Sequence, residues 1–169
     1  PVRLLGDIHG KTALDLCAAP GGKALQLAAL GANVTAIDIS ERRLKRLKQN
    51  LQRTGLNADI KVMDAFALQE KHFDAIVLDA PCSATGIMRR HPDLPYAKDG
   101  SEFLSLIELQ HKMLRHALRL LAPSGRLVYC TCSLLPDEGE AQVEALIAEN
   151  TQIEVDPGTF QHPHVAPNW

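Results

Sequence analysis

The sequence predicts an α/β fold in which a mainly parallel sheet carries helices on both faces. Short apolar runs of strand length alternate along the 169 residues with helix-patterned stretches of ten or more residues. Connections of that length are what parallel strands need, and they are right-handed in nearly all known cases. The strand-like runs are almost continuously apolar, which is typical of strands buried on both faces.

Each element follows from its local pattern. The apolar runs predict five strands and a weaker sixth, at residues 12–17, 33–39, 59–64, 73–80, 126–132 and 152–155. Periodic apolar positions predict four helices, at residues 21–31, 41–55, 101–122 and 136–150. Ser40 is an expected N-cap, while Gly31 and Gly55 are expected to end the first two helices. Residues 81–100 lack a period and are predicted to form a long loop.

Composition narrows the class of protein. A hydrophobic fraction of 46% in 169 residues suffices for one buried domain, here residues 1–169, and we expect a monomer. The net charge of −2 does not by itself indicate a nucleic-acid binder, and no apolar stretch has the length of a membrane span. Four cysteines are too few for a disulfide scaffold, which favours a reducing, cytoplasmic setting. The start at Pro1 and the loop-like end suggest a fragment of a longer protein.

Thiols and carboxylates gather where the predicted strands end. In an open parallel sheet, ligands bind beyond the carboxyl ends of the strands, so these side chains are expected to share one edge. One such residue is easily explained as a small buried group, but six at one edge indicate a site. The six are Cys17, Cys82, Cys132, Asp38, Asp64 and Asp79.

The run "CAAPGGK", residues 17–23, joins the first strand to the first helix. Its glycines allow a ligand to approach the backbone, but Ala24 follows Lys23, so the run is not a P-loop. Asp38 suits a pair of ribose hydroxyls, which points to a cofactor that carries a nucleoside. Asp64 is equally well explained as an acceptor for an adenine amino group or as a loop cap.

The runs "DAPCS" and "TCS" place Cys82 and Cys132 after neighbouring strands. Two such thiols suit a disulfide, a metal site or a pair of catalytic groups. A zinc site needs about four ligands, and no histidine stands at a suitable spacing, so no metal is expected. Cys130 points to the opposite side of a regular strand from Cys132 and is interpreted as a core residue.

Three runs together resemble a known family. "LDLCAAPGGK", "LDAPCSATGIMRRHPD" and "TCSLLPDEGE" resemble the RNA cytosine-5 methyltransferases that use S-adenosylmethionine, and most closely the bacterial small-subunit ribosomal RNA branch of the Sun or Fmu type. The resemblance extends from about Thr12 to Glu154. It implies a Rossmann-like methyltransferase fold, S-adenosylmethionine as cofactor and RNA as partner. Longer members carry an N-terminal RNA-binding region and a closing C-terminal strand with no counterpart here.

The resemblance also implies roles for individual residues. Cys132 is implied as the nucleophile that adds to carbon 6 of cytosine, Cys82 as the thiol that assists product release, and Asp79 as a contact to both cofactor and base. The cofactor-binding positions implied are Cys17, Ala18, Ala19, Pro20, Gly21, Gly22, Lys23, Asp38, Arg43, Asp64 and Asp79. Separately, Arg89 and Arg90 lie in the segment after Cys82 and are expected to contact RNA phosphates.

Other functions remain open at this level. The fold does not fix the substrate, so a methyltransferase for transfer RNA or for a protein is an alternative. A non-catalytic RNA-assembly module is another, although the presence of both Cys82 and Cys132 speaks against lost chemistry. A thiol-redox or metal-binding protein is the third.

Overall fold

The computed structural model describes residues 1–70, 72–97, 99–150 and 152–156. These residues form two compact units, each of which is described by itself. Unit 1 comprises Pro1–Ala80 and Lys112–Cys130, and unit 2 comprises Pro81–His111 and the described residues from Thr131 onward. None of the helices in this part of the chain combines the length and the apolarity that a bilayer crossing requires.

Unit 1 is built on a five-stranded sheet whose adjacent strands are all parallel, which confirms the predicted sheet. The strands are β1 (Thr12–Asp15), β2 (Asn33–Asp38), β3 (Asp59–Val62), β4 (Phe73–Asp79) and β5 (Leu121–Cys130). Their order in the sheet is β3-β2-β1-β4-β5, so the direction of winding reverses between β1 and β4.

The described residues also form five α-helices. They are α1 (Gly22–Ala29), α2 (Glu41–Thr54), α3 (Leu94–Ala97), α4 (Phe103–Leu120) and α5 (Glu140–Glu149). The predicted cap of α2 is confirmed, because the Ser40 hydroxyl accepts a hydrogen bond from the Arg43 amide at 3.3 Å. Gly31 and Gly55 follow α1 and α2 with φ of 81° and 68°, as the predicted stops require.

Both faces of the sheet are covered. Apolar residues of α1 and α2 pack in one cluster with Ala75 and Val77 of β4. The alternate residues Ile76 and Leu78 are also fully buried, so the opposite face is not open to solvent. The part of α4 that belongs to unit 1 also buries its apolar residues, which are Met113, Leu114, Ala117 and Leu120. This is the Rossmann-like arrangement that the sequence predicted.

Unit 2 contains more local structure than predicted. The segment 81–100, predicted to be a loop, contains a 3₁₀ turn at Thr85–Ile87 and the short helix α3. Elements of three or four residues are shorter than one amphipathic repeat, so periodicity does not reveal them.

Several boundaries also differ from the predictions. β5 begins at Leu121 rather than at residue 126, because Leu121 pairs with Phe73 before an irregularity shifts the register to Ala75 and Arg126. The helix predicted at 136–150 divides at Gly139 into a 3₁₀ turn, Pro136–Glu138, and α5. The sixth strand predicted at 152–155 is wrong, since these residues form no strand.

Candidate active site

A cavity of about 150 Å³ lies in unit 1 beyond the ends of β1 and β4, where the winding of the sheet reverses. Ligands of doubly wound sheets bind at this position. The predicted Gly-rich turn forms much of its wall. The lining residues are Asp15, Cys17, Ala18, Ala19, Pro20, Gly22, Lys23 and Asp79.

The backbone of the Gly-rich turn passes very close to α2. Gly21 has φ of +112°, and a Cβ at this position would lie 2.4 Å from Leu47 Cδ1. Only glycine fits such a conformation and such a contact. At Gly22, which begins α1, a Cβ would have no atom within 4 Å, so the backbone there is open to an approaching ligand.

Asp15 is a functional candidate that sequence reasoning missed. Its side chain is buried at the end of β1 and lines the cavity, yet neither carboxylate oxygen has a hydrogen-bond partner of good geometry among the described residues. Burial raises the pKa of Asp15 to about 7, while Lys23 and the amides of Ala24 and Cys17 oppose the rise only in part. A carboxylate inside the apolar run "LDLC" was the available signal.

Asp79, at the end of β4, is held by Lys23. Lys23 Nζ donates to Asp79 Oδ2 at 2.5 Å, and this bond raises the pKa of Lys23 although burial acts in the opposite direction. Cys130 Sγ lies 3.6 Å from Asp79 Oδ1. Cys130 packs against the core, and burial raises the pKa of its thiol to about 12, which confirms the interpretation of Cys130 as a core residue.

Cys17 is likewise a protonated thiol. Burial is the main reason that its pKa rises to about 12, and the carboxylates of Asp15, Asp38 and Asp79 act in the same direction. A thiol in this state is a poor nucleophile, so Cys17 can line a pocket but not attack a substrate.

Asp38 connects the end of β2 to the Gly-rich turn. Its carboxylate accepts hydrogen bonds from the Ala19 amide at 3.1 Å and the Ser40 amide at 2.9 Å. Arg43 approaches Asp38 at 3.5 Å and donates to the Ala19 carbonyl at 2.5 Å. Because each carboxylate oxygen has two lone pairs, Asp38 retains acceptor capacity for a ligand.

Asp64 is exposed beyond the end of β3. Its Oδ1 accepts a hydrogen bond from the Phe66 amide at 2.9 Å and so caps the 3₁₀ turn Ala65–Ala67. The structure therefore shows the loop-cap role, and the adenine contact stays a prediction.

In unit 2, the two predicted catalytic thiols are in direct contact. Cys82 Sγ and Cys132 Sγ lie 3.3 Å apart, and both cysteines are free. Cys82 is partly buried, whereas Cys132 is exposed.

The two thiols are not equivalent. The hydrogen bond from Cys132 lowers the pKa of the Cys82 thiol to about 7, with help from the amides of Ala84 and Cys132, while burial and Glu138 oppose the change. Nothing in the sequence alone indicates which group assists deprotonation. The hydrogen bond between the two sulfur atoms therefore links the ionisation of Cys82 to Cys132.

Arg89 and Arg90, the predicted phosphate contacts, are both exposed in unit 2. Their interaction with RNA stays a prediction. Within the described ranges, no three His, Cys, Asp or Glu side chains are grouped closely enough to hold a metal ion.

Gly86 maintains the backbone beside Cys132, and we expect its replacement by alanine to destabilise this part of the chain. The Gly86 amide donates to the Cys132 carbonyl at 2.8 Å, and a Cβ on Gly86 would lie 2.7 Å from that oxygen. Overpacking of this kind costs roughly 1–3 kcal/mol. Urea unfolding of the Gly86→Ala variant should show the loss.

The matched control for this prediction is Gly22→Ala. A Cβ on Gly22 would have no atom within 4 Å, and Gly22 lies in the first turn of α1, a conformation that alanine adopts readily. Equal free energies of unfolding for the two variants would show that the Gly86 contact does not constrain the backbone.

Comparisons with known proteins show which family the chain is similar to. The family model described as 16S rRNA methyltransferase RsmB/F matches residues 2–167. The chain is 44% identical to the ribosomal RNA small subunit methyltransferase B of Serratia proteamaculans (strain 568) in an alignment of 169 residues that covers 96% of this chain and 39% of that protein. The chain thus spans about 40% of the length of the curated relatives it matches.

Solved structures show the same fold. The structure of NSun6 from Pyrococcus horikoshii with SFG has a TM-score of 0.78 and 33% identity, covering 88% of this chain and 39% of that one. A methyltransferase homolog protein from Pyrococcus horikoshii has a TM-score of 0.71 and 35% identity, covering 89% and 48%. The resemblance inferred from the three sequence runs is confirmed: the chain belongs to the 16S rRNA methyltransferase RsmB/F family.

Proposed function

We propose that the chain, residues 1–169, is the catalytic domain of an enzyme that transfers a methyl group from S-adenosylmethionine to carbon 5 of a cytosine in RNA, with small-subunit ribosomal RNA as the substrate. The contact between Cys82 and Cys132 carries the proposal, because two thiols 3.3 Å apart suit a covalent addition and its reversal. The names of the relatives support the RNA class, and NSun6 was solved with SFG, an S-adenosylmethionine analogue.

The residues around the cavity fit such a cofactor. Asp15 is a buried carboxylate without a partner of good geometry, which suits the ammonium group of a methionine moiety. Asp38 retains acceptor capacity for the ribose hydroxyls, and the open backbone at Gly22 suits close approach. Asp64 is proposed to accept a hydrogen bond from the adenine amino group. Arg43 is proposed to hold Asp38 and the Gly-rich turn in place through its contacts with Asp38 and the Ala19 carbonyl. When bound, S-adenosylmethionine supplies an electrophilic methyl group.

The two thiols are proposed to make carbon 5 of cytosine nucleophilic and then to restore the ring. Carbon 5 of cytosine is a poor nucleophile until a thiolate adds to carbon 6 and turns the ring into an enamine. Cys82 accepts the proton of Cys132, and the Cys132 thiolate then forms the bond to carbon 6. After methylation, Cys82, having released its proton to solvent, removes the proton from carbon 5. The electrons of that C–H bond restore the ring double bond as the bond to Cys132 breaks.

Other residues are proposed to position the substrates. Asp79, oriented by Lys23, contacts the cofactor and the amino edge of the cytosine. Arg89 and Arg90 contact phosphates. The target base leaves its stack to reach the thiols. We also infer that the enzyme acts as a monomer in the cytoplasm.

Mapping of 5-methylcytosine tests the proposal. Ribosomal RNA from cells with and without the gene should differ at a cytosine of the small subunit, and the purified full-length protein should restore that mark with S-adenosylmethionine. Loss of 5-methylcytosine from transfer RNA instead would favour the transfer RNA alternative. No change in either RNA would contradict the proposal.

Replacement of Asp38 by alanine should weaken S-adenosylmethionine binding by roughly 1.5–3 kcal/mol, the scale of a lost charge-assisted hydrogen bond. The loss follows because Asp38 is the proposed acceptor for the ribose hydroxyls and also holds the amide of Ala19, which lines the cavity. Titration calorimetry measures the affinity for S-adenosylmethionine. The control is Asp59→Ala, which removes an exposed carboxylate at the start of β3. Unchanged affinity would remove Asp38 from the pocket.

A further inference from the structure

Glu138 is a fully buried carboxylate at the end of the 3₁₀ turn Pro136–Glu138 in unit 2. Its Oε1 accepts hydrogen bonds from the Ser83 amide at 2.8 Å and from Gln110 Nε2 at 2.9 Å. Its Oε2 accepts a short hydrogen bond from the Ser83 hydroxyl. A carboxylate that accepts three hydrogen bonds restricts the positions of the segments that donate them.

These bonds end on the residues that flank the two thiols. We define the Pro-Cys loop as residues 81–83 and the Thr-Cys turn as residues 131–133. Ser83 directly follows Cys82, and its hydroxyl lies 3.2 Å from the hydroxyl of Ser133, which directly follows Cys132. Glu138 therefore acts on both cysteine segments through adjacent serines.

The side chains of Gln110 and Thr85 form further hydrogen bonds to the Pro-Cys loop and the Thr-Cys turn. Gln110 Nε2 donates not only to Glu138 but also to the Pro81 carbonyl at 2.9 Å, which fixes the start of the Pro-Cys loop. The Thr85 hydroxyl lies 3.1 Å from that of Ser133 and accepts from the Leu134 amide at 2.8 Å, which fixes the end of the Thr-Cys turn.

Glu138 is also charged. Burial would raise the pKa of its carboxyl, but the hydrogen bonds with Ser133, Ser83 and Gln110 outweigh burial and lower it. Retaining a buried charge is costly unless its hydrogen bonds are good. Glu138 is therefore a buried charge that its hydrogen bonds hold between the two cysteine segments.

We propose that Glu138 is a positioning residue that fastens the Pro-Cys loop to the Thr-Cys turn and thereby keeps the thiols of Cys82 and Cys132 in contact. Its catalytic meaning rests on the proposed function. Its structural effect does not, because the contact between the thiols can be measured without RNA or cofactor.

Two substitutions of Glu138 distinguish the effect of its hydrogen bonds from the effect of its negative charge. The titratable groups that act on Cys82 within unit 2 are Cys132, which has the largest effect, and Glu138, which has the smallest. Glu138→Ala removes the fastening, so the thiol contact is lost and the pKa of Cys82 rises from about 7 toward 9.0. Glu138→Gln keeps an acceptor for the Ser83 amide and for Gln110 but removes the charge, so the pKa of Cys82 stays at or below that of the wild type.

The experiment is the pH profile of iodoacetamide alkylation at Cys82, read by mass spectrometry on the folded full-length protein. The midpoint should move upward in Glu138→Ala and stay or move downward in Glu138→Gln. Glu144→Ala, which removes an exposed carboxylate from α5, is the matched control and should follow the wild type. A folded Glu138→Ala protein with the wild-type midpoint would overturn the proposal.

Ser83→Ala keeps the test decisive if Glu138→Ala does not fold. It removes the hydroxyl that bonds to both Glu138 and Ser133 but leaves the backbone bond, so the midpoint should again move upward. A wild-type midpoint in Ser83→Ala would then count against the proposal.

Methyl transfer distinguishes this inference from the proposed function. If the wild type methylates RNA, Glu138→Ala should lose roughly 100-fold in kcat, the scale expected for reacting groups misplaced by about 1 Å, while Glu138→Gln keeps most of it. A wild-type protein that fails to methylate any RNA refutes the proposed function alone, since the alkylation profiles still decide the role of Glu138.

Discussion

A Cys132→Ala protein should form no covalent bond to RNA and transfer no methyl group, because the thiol that we propose adds to carbon 6 of cytosine is gone. We expect the loss of activity to be complete within detection, since without the addition carbon 5 does not become nucleophilic. A denaturing gel with labelled target RNA and S-adenosylmethionine measures the adduct, and the full-length protein is used so that RNA binding does not limit the result.

Cys130→Ala is the control for Cys132, because it removes a thiol two residues away. Burial raises the pKa of Cys130 to about 12, so its thiol stays protonated and is not expected to attack. The Cys130 variant should therefore retain the ability to form the adduct. An adduct that persists in Cys132→Ala would mean that Cys132 is not the nucleophile.

Cys82→Ala should behave differently and accumulate the protein–RNA adduct. Under the proposed mechanism, Cys132 can still attack and the base can still be methylated. The group proposed to remove the carbon 5 proton is missing, so the bond to Cys132 should break slowly. The same denaturing gel should show an adduct band that the wild type does not accumulate.

The contact between the thiols adds a pH dependence to this prediction. In the wild type, the hydrogen bond with Cys132 lowers the pKa of Cys82 to about 7, and we propose that Cys82 accepts the Cys132 proton at neutral pH. Without Cys82, Cys132 has to ionise unaided, so the rate of adduct formation in Cys82→Ala should increase with pH well above 7. Two variants that both behave like the wild type would show that neither thiol reacts.

Much of the fold was predictable because its signals are local. The buried strands appear as apolar runs, and the limits of α2 follow from Ser40 and Gly55. The start of β5 was missed because Pro123 and Gly125 suggest a loop, yet the strand begins at Leu121 through its pairing with Phe73. That pairing depends on a partner 48 residues earlier along the chain, which no local pattern reveals.

The candidate site was predictable only in part, for a similar reason. Strand ends indicated where Asp38 and Asp79 belong, because the topology of a parallel sheet brings such ends to one edge. Glu138 reads in the sequence as an ordinary acidic residue near the start of a helix, and nothing local shows that it is buried against Ser83. Its significance depends on contacts between segments 55 residues apart.

Asp15 has a consequence for the energetics of the whole domain. Its carboxyl has an ordinary pKa of 3.8 when unfolded and a pKa of about 7 in the folded chain. Between these pH values the folded protein retains a proton that the unfolded chain releases, so the contribution of Asp15 to stability decreases as the pH rises from about 4 to about 7. A ligand that brings a cation to Asp15 favours the ionised carboxylate and expels that proton. Ligand affinity and folding free energy are therefore linked through the same proton, and the affinity for such a ligand should increase as the pH rises toward 7.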